Sequence, residues 1–305
     1  MYDIIIVGAG PAGLTSALYA LRANKKVLVL EAKSYGGQII NANKIENYPG
    51  IPIISGFEFA TTLYNQVKNL GAEIKFETVL RIDQEKNVIT KKNAYQAKAI
   101  ILATGAEKKK LGIDGEDKFN GRGVSYCATC DGNFYKAKKV AVVGGGNTAL
   151  EDAIYLADLA QKVYIIHRRE NFRGEEHLVD ELKKYDNVEF ILNSKVVKLN
   201  GDNKLESIDI QDNDENIRNL ELDGLFIAVG QEPKNEIFAN LIKLDKFGYI
   251  ESEDGVHTNI PGIYVAGDAR VKTLRQLTTA VGDGAVASVT AIKEMLWKIF
   301  GQFLC

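Results

Sequence analysis

The chain has 305 residues, room for about two domains. Hydrophobic residues make up 46% and charged residues 26%, an ordinary folded composition that excludes global disorder. Lys plus Arg number 38 against 40 for Asp plus Glu, a net charge of -2, so no overall field favours a polyanion and nucleic-acid binding is not expected. No apolar run reaches the ~18 residues of a bilayer-spanning helix. The first eight residues lack a basic stretch and read as a strand, not a signal peptide. Three cysteines, Cys127, Cys130 and Cys305, are too few for a disulfide framework, so a reducing cytoplasm is the expected location.

In chain order, a strand over residues 3–7 runs into Gly8-Ala9-Gly10-Pro11-Ala12-Gly13 and a helix from about 14 to 22. This is G-x-G-x-x-G in the strand–turn–helix context that dinucleotide binding requires. Gly8 makes the turn, Gly10 admits a pyrophosphate, Gly13 lets helix pack on strand, and the helix N-terminus offers N–H groups to phosphate. A second strand over 26–30 ends in Glu31, twenty-three residues after Gly8, where a carboxylate can accept both ribose hydroxyls.

The plan recurs. A strand over 139–143 feeds Gly144-Gly145-Gly146-Asn147-Thr148-Ala149 and a helix over 150–159, the G-x-G-x-x-A form of the fingerprint. The next strand, 162–166, places His167, Arg168 and Arg169 where the first copy has Glu31, with Arg173 beyond. A cationic cluster at that edge suits the 2′-phosphate of NADP. After each fingerprint come short alternating strands, around 73–97 and 189–222, and then a buried strand ending in a glycine turn at Gly105 or Gly230. The two units form an internal duplication in pattern.

Between them lies Ser125-Tyr126-Cys127-Ala128-Thr129-Cys130-Asp131-Gly132. Structural zinc needs four ligands, and the other candidates are only Cys305 and three scattered histidines. A structural disulfide closing so short a loop contributes only ~2 kcal/mol and is exposed to cytoplasmic reductants. A redox-active dithiol is the reading that C-x-x-C beside dinucleotide folds suggests. Asp131 reads equally as a turn residue before Gly132 or as a proton donor and acceptor for a leaving thiolate.

These motifs, with Gly36-Gly37-Gln38, Asn47-Tyr48-Pro49-Gly50, Ala103-Thr104-Gly105 and Gly267-Asp268, resemble the bacterial-type low-molecular-weight thioredoxin reductases over nearly the whole chain. The resemblance implies an α/β fold of two Rossmann-like, three-layer dinucleotide-binding domains. An NADPH domain (113–234) carrying the C-x-x-C is inserted into an FAD domain (1–112 and 235–305). It implies FAD at Gly8, Gly10, Pro11, Ala12, Gly13, Glu31, Gly37, Gln38, Asn47, Thr104, Gly105, Gly267, Asp268, Arg275, Gln276 and Leu277. It implies NADPH at Gly144, Gly145, Gly146, Asn147, Thr148, His167, Arg168, Arg169, Arg173 and Gly230.

By the same resemblance, NADPH gives a hydride to FAD, and two electrons pass to a Cys127–Cys130 disulfide whose dithiol reduces thioredoxin. Cys130 would face the flavin, Cys127 would attack thioredoxin, and Asp131 would act as acid and base. Family members rotate the NADPH domain, with hinges expected near 109–117 and 230–235, and pair as homodimers. Alternatives of the same fold are a peroxiredoxin-reducing subunit, which carries an extra N-terminal dithiol domain, and a ferredoxin-driven relative, which should lack the arginine cluster. A redox-sensing binding module is the alternative outside enzymology.

Four features are decoys. Asp212-Asn213-Asp214-Glu215-Asn216 mimics a calcium loop, but Ile217 stands where glycine is needed, so a polar hairpin turn is expected. The glutamates at 170, 175 and 176 read as a solvated helix start. Cys305, alone after Phe303-Leu304, reads as an incidental thiol, and residues 289–304 as a packing helix.

Overall fold

A computed structural model describes residues 1–42, 44–252 and 254–301, the side chains of 41 and 298–301 excepted. Cys305 lies outside the described residues. Contacts divide the chain into one unit of Met1–Glu107 with Glu232–Cys305 and another of Lys108–Gln231.

The first segment opens with β1 (Tyr2–Val7), α1 (Pro11–Arg22), β2 (Val27–Glu31), α2 (Gly56–Asn69) and β3 (Glu73–Phe76). A meander follows, β4 (Val79–Ile82), β5 (Asn87–Thr90) and β6 (Ala94–Leu102), and then β7 (Ala106–Lys108). Six strands of a seven-stranded sheet run β3-β2-β1-β6-β5-β4. β6 is long enough to serve twice: Gln96, Tyr95 and Ala94 pair antiparallel with β5, while Ala97 to Leu102 pair parallel with β1. Alternation along β1 separates two cores. Ile4 and Ile6 face α1 and α2 through Leu14, Ala17, Leu63 and Val67, whereas Ile5 and Val7 pack with Val79, Val88, Phe238 and Ile250.

The inserted unit comprises α3 (Glu116–Phe119), β8 (Val124–Ser125), α4 (Ala128–Asp131), β9 (Lys139–Gly144), α5 (Asn147–Ala157), β10 (Lys162–Ile166), α6 (Glu176–Leu182) and β11 (Val188–Ile191). It ends with β12 (Ser194–Asn200), β13 (Ser207–Asp212), β14 (Ile217–Glu221) and β15 (Gly224–Ala228), before β16 (Gln231–Pro233). Its parallel sheet runs β11-β10-β9-β15-β8. Val140 and Val142 of β9 face Leu150, Ala153 and Leu156 of α5, while Ala141 and Val143 face Val196, Ile208 and Ile210 of the antiparallel β12-β13-β14 layer. This is the three-layer arrangement, helices on one face and a meander on the other.

After the insert the chain adds β17 (Ile263–Val265) to β6 in parallel and closes with α7 (Leu277–Gly301) against α1. In each copy the first strand expected in the meander instead joins the parallel sheet: β3 pairs with β2, and β11 with β10. Each follows a crossover helix, α2 or α6, which returns the chain parallel to its predecessor. The calcium-like stretch is the β13–β14 turn, where Asp212 Oδ1 accepts the N–H groups of Asp214 and Asn216, both at 2.9 Å. No described helix is long and apolar enough to cross a membrane.

Candidate active site

In the first unit, only glycine fits the turn. At Gly8 (φ +110°) a Cβ would lie 2.3 Å from the Ala103 carbonyl oxygen, and at Gly13 it would lie 1.9 Å from that of Gly8. Pro11 occupies the first helical positions of α1, and its N-cap, Gly10, has no side-chain cap bond. Space is open above it: a Cβ on Gly10 would meet nothing nearer than the Gly37 Cα at 3.8 Å. Glu31 ends β2 with Oε2 accepting Ala9 N–H and Oε1 accepting Lys33 N–H, both at 2.8 Å, and each oxygen retains a lone pair. Ala12 is brought under Gly267, whose own N–H donates to Asp283 Oδ2 at 3.1 Å.

Asn47 Nδ2 donates to Gln276 Oε1 at 3.2 Å, so two of the expected flavin-side residues touch across 229 positions of sequence. Gln38 is exposed beside Gly37, and Leu277 is buried where α7 opens. Thr104 donates to Asn235 Oδ1 at 2.7 Å, ahead of Gly105. Arg275 donates to the carbonyls of Asp268, Lys272 and Arg270 at 3.2–3.4 Å and lies 4.0 Å over the Tyr249 ring. The arginine therefore clasps the 268–275 loop into shape. Beneath it, Asp283 pairs with Arg270 at 2.9 Å and Lys272 at 2.8 Å. Burial pushes the Asp283 carboxyl up, but the two cations outweigh it and hold it below the usual range.

In the second unit, Gly144 ends β9, Gly146 is the N-cap of α5 without a side-chain bond, and a Cβ there would meet nothing within 4 Å. Thr148 is exposed on the first turn. Asn147 is engaged twice with Glu175: its Nδ2 donates to Oε1 at 2.7 Å and its Oδ1 accepts the Glu175 N–H at 2.9 Å. Arg168, Arg169 and Arg173 are exposed with no carboxylate partner among the described residues. His167 differs from them. Its ring is buried, stacks on Phe172 and lies 3.2 Å from the Asn171 carbonyl. Burial first, then the neighbouring arginines, push its pKa down, so it is neutral where the arginines are charged. Gly230 carries a φ of +106°, and its carbonyl accepts Lys109 N–H at 3.0 Å.

Cys127 and Cys130 are joined as a disulfide at the start of α4, with Cα atoms 5.3 Å apart. Asp131 follows on the same turn, and Ser125 Oγ donates to its Oδ2 at 2.6 Å while accepting Cys127 N–H at 3.1 Å. Tyr126 donates to the buried Glu116 at 2.5 Å; burial first, then that bond, push the phenol up. Asp152 on α5, the helix that packs on α4, is pushed up to about 7 by burial, against the opposing charge of Lys108. Sequence reasoning missed Asn235, Asp283, Glu116 and Asp152, and it passed over Ser125, two residues before the cysteine pair.

Both turns fit an extended dinucleotide: each has a bare helix N-terminus, open space above it, and a ribose-edge side chain of opposite charge in the two copies. Two such turns and a Cys-x-x-Cys disulfide in one chain are the parts of a nucleotide-dependent disulfide oxidoreductase. The chain belongs to the pyridine nucleotide-disulphide oxidoreductase family, whose model matches residues 2–284. It is 43% identical over 300 residues to a thioredoxin reductase of Listeria monocytogenes, covering 96% of this chain and 93% of that one. Thioredoxin reductase from Streptococcus pyogenes is a solved structure 41% identical to it, with a TM-score of 0.92 over 97% of this chain and 98% of that one. A ferredoxin-flavin thioredoxin reductase from Clostridium acetobutylicum is 34% identical, with a TM-score of 0.52 over 97% and 98%.

Proposed function

We propose that this chain is an NADPH-dependent thioredoxin-disulfide reductase carrying FAD. The observation that carries the reading is the Cys127–Cys130 disulfide with Asp131 on the same turn, in a chain with two dinucleotide turns. FAD is assigned to the Gly8–Gly13 turn, Glu31, Gly37, Gln38, Asn47, Thr104, Gly105 and the 267–277 loop. NADPH is assigned to the Gly144–Thr148 turn, Arg168, Arg169, Arg173 and Gly230, with His167 seating the turn. Bound there, the two coenzymes supply a two-electron path from a nicotinamide to the disulfide.

The protein's own chemistry is thiol–disulfide exchange. Cys127 is assigned the attack on the partner disulfide, Cys130 the resolution of the mixed disulfide, and Asp131 the proton transfers. The ferredoxin-driven alternative shares the fold, but the three exposed arginines favour a 2′-phosphorylated donor. The reading includes a cytoplasmic, reducing location and a homodimer. For the dimer the supporting feature is the exposed Val286, Val289, Leu296 and Trp297 of α7, which sedimentation velocity tests.

The test is NADPH oxidation coupled to thioredoxin reduction by the yellow protein under anaerobic conditions. Turnover with NADPH, abolished in Cys130→Ser while flavin bleaching by NADPH persists, is expected. Bleaching by reduced ferredoxin but not by NADPH would overturn the assignment in favour of the relative, and nucleotide binding without turnover would favour a sensor.

A further inference from the structure

This inference rests on the thiol–disulfide reading above and adds a residue to it. We propose that Ser125 is a positioning residue of the dithiol centre, whose hydroxyl keeps Asp131 hydrogen-bonded in both protonation states and ties that carboxyl to the backbone of Cys127.

Ser125 is buried at the end of β8, held by pairing of Val124 and Ser125 with Leu225 and Phe226 of β15. The sheet therefore fixes its Cα relative to the cysteine turn. Three groups surround the hydroxyl. Asp131 Oδ2 accepts from it at 2.6 Å, Cys127 N–H donates to it at 3.1 Å, and the Cys127 carbonyl stands 3.4 Å away as a second acceptor.

A hydroxyl has one hydrogen and two lone pairs. With Asp131 ionised, the hydrogen goes to Oδ2 and one lone pair takes the Cys127 N–H. With Asp131 protonated, its O–H donates into the second lone pair, and the serine hydrogen turns to the Cys127 carbonyl. Every group keeps a partner in both states, so a proton can arrive or leave without stranding a buried polar atom.

Exchange that expels a basic thiolate is helped by such a carboxyl. Starting from a Cys127 thiolate, a Cys130 thiol and protonated Asp131, the Cys127 sulfur bonds to one sulfur of the partner as the partner disulfide breaks. The departing sulfur takes the proton of Asp131. Cys130 then gives its proton to the Asp131 carboxylate and bonds to Cys127 as the mixed disulfide breaks, and the second departing sulfur takes that proton. Two electrons and two protons have passed to the partner, and Cys127–Cys130 is again a disulfide.

The test uses full-length protein reduced with dithiothreitol, freed of reductant, and mixed with small disulfides without NADPH. 5,5′-Dithiobis(2-nitrobenzoate) releases a thiolate that needs no proton, whereas 2-hydroxyethyl disulfide releases a basic one that does. Ser125→Ala should slow exchange with hydroxyethyl disulfide by about tenfold, a fraction of what general acid catalysis supplies, and leave exchange with the aryl disulfide within about twofold. Ser125→Thr should restore the rate with hydroxyethyl disulfide, and Ser125→Ala should add nothing to Asp131→Asn. If Ser125→Ala does not fold, the matched pair Ser125→Thr and Ser125→Val makes the same comparison.

Equal slowing of both disulfides, or slowing of neither, would overturn the assignment of Ser125. A reduced wild type that exchanges with both small disulfides but not with thioredoxin would instead sink the thioredoxin reading, and the two small disulfides would still judge Ser125.

Discussion

The imidazole of His167 fills the space that a side chain on Gly145 would occupy: a Cβ there would lie 2.1 Å from the ring Cε1. Phe172 stacks on the ring with centroids 5.1 Å apart and blocks one direction of retreat. The Gly145 carbonyl in turn accepts the N–H groups of Arg173 and Gly174, at 2.7 and 3.1 Å. One glycine thus ties the turn after β9 to the arginine loop. Gly145→Ala is expected to destabilise the protein by about 1–3 kcal/mol through overpacking and to weaken NADPH binding by at least about tenfold, since misplaced groups lose their charge-assisted bonds. Urea titration and NADPH fluorescence measure the two effects; an unchanged midpoint would show that the ring yields freely.

Arg168 and Arg169 are exposed. Each charge-assisted hydrogen bond is worth about 1.5–3 kcal/mol, so neutralising both should cost roughly 10²–10⁴ in NADPH affinity. NADH affinity should hardly change. Equal losses for both nucleotides, measured by titration, would remove the 2′-phosphate role. His167→Phe separates the two kinds of residue: a ring that seats the turn should alter both nucleotides by the same factor.

Asp283 joins Arg270, Lys272 and the Gly267 N–H, with its side chain only 13% exposed and that of Lys272 6%. Asp283→Asn leaves two largely buried cations short of a counter-charge, a loss of about 3–5 kcal/mol for such pairs. The expected result is a lower denaturation midpoint together with loss of FAD on gel filtration. Retention of full flavin content would show that the network stabilises the fold without shaping the 267–277 loop.

At the other end of that segment, His257 bridges Asp254 and Glu294, the latter at 2.5 Å, and Tyr264 donates to Glu294 at 2.7 Å. Glu294, opposed by partial burial and aided by Asp254, raises the His257 pKa, whereas the His257 N–H contacts hold Asp254 at about 2. Burial and Glu294 push the Tyr264 phenol up, so it stays protonated through the alkaline range. The histidine contribution is complete below its unfolded value, about 6.5, and is lost as pH rises through the folded value. The Asp254 contribution is complete above its unfolded value, about 3.9, and is lost as pH falls through about 2. Calorimetry should therefore show a melting temperature that falls by a few degrees at most from pH 6 to 9, the groups being partly exposed. His257→Gln should flatten that slope.

Motifs with local periodicity were legible in the sequence. The strand-turn-helix at Gly8 and Gly144 shows itself because a run of buried β-branched residues stops at glycines that nothing larger can replace. The meanders were partly misread, because β3 and β11 are short edge strands whose partners are chosen by the helix before them. The polar framework was not legible at all. Thr104 and Asn235 are 131 positions apart, and Arg270 and Asp283 belong to a loop and a helix that only folding brings together. His167 looked like one more cation beside two arginines. Its neutrality follows from pointing inward under Gly145, a direction set by packing and invisible in a list of residues.

The bond from Lys109 to Gly230 brings the first and last stretches of the 108–231 module side by side. A segment whose ends meet closes on itself and adds little loop entropy to its host. Such a module can be excised as a cassette, produced as a separate protein for nucleotide titration, or exchanged with the corresponding cassette of a relative, while a short splice between Glu107 and Glu232 rejoins the host.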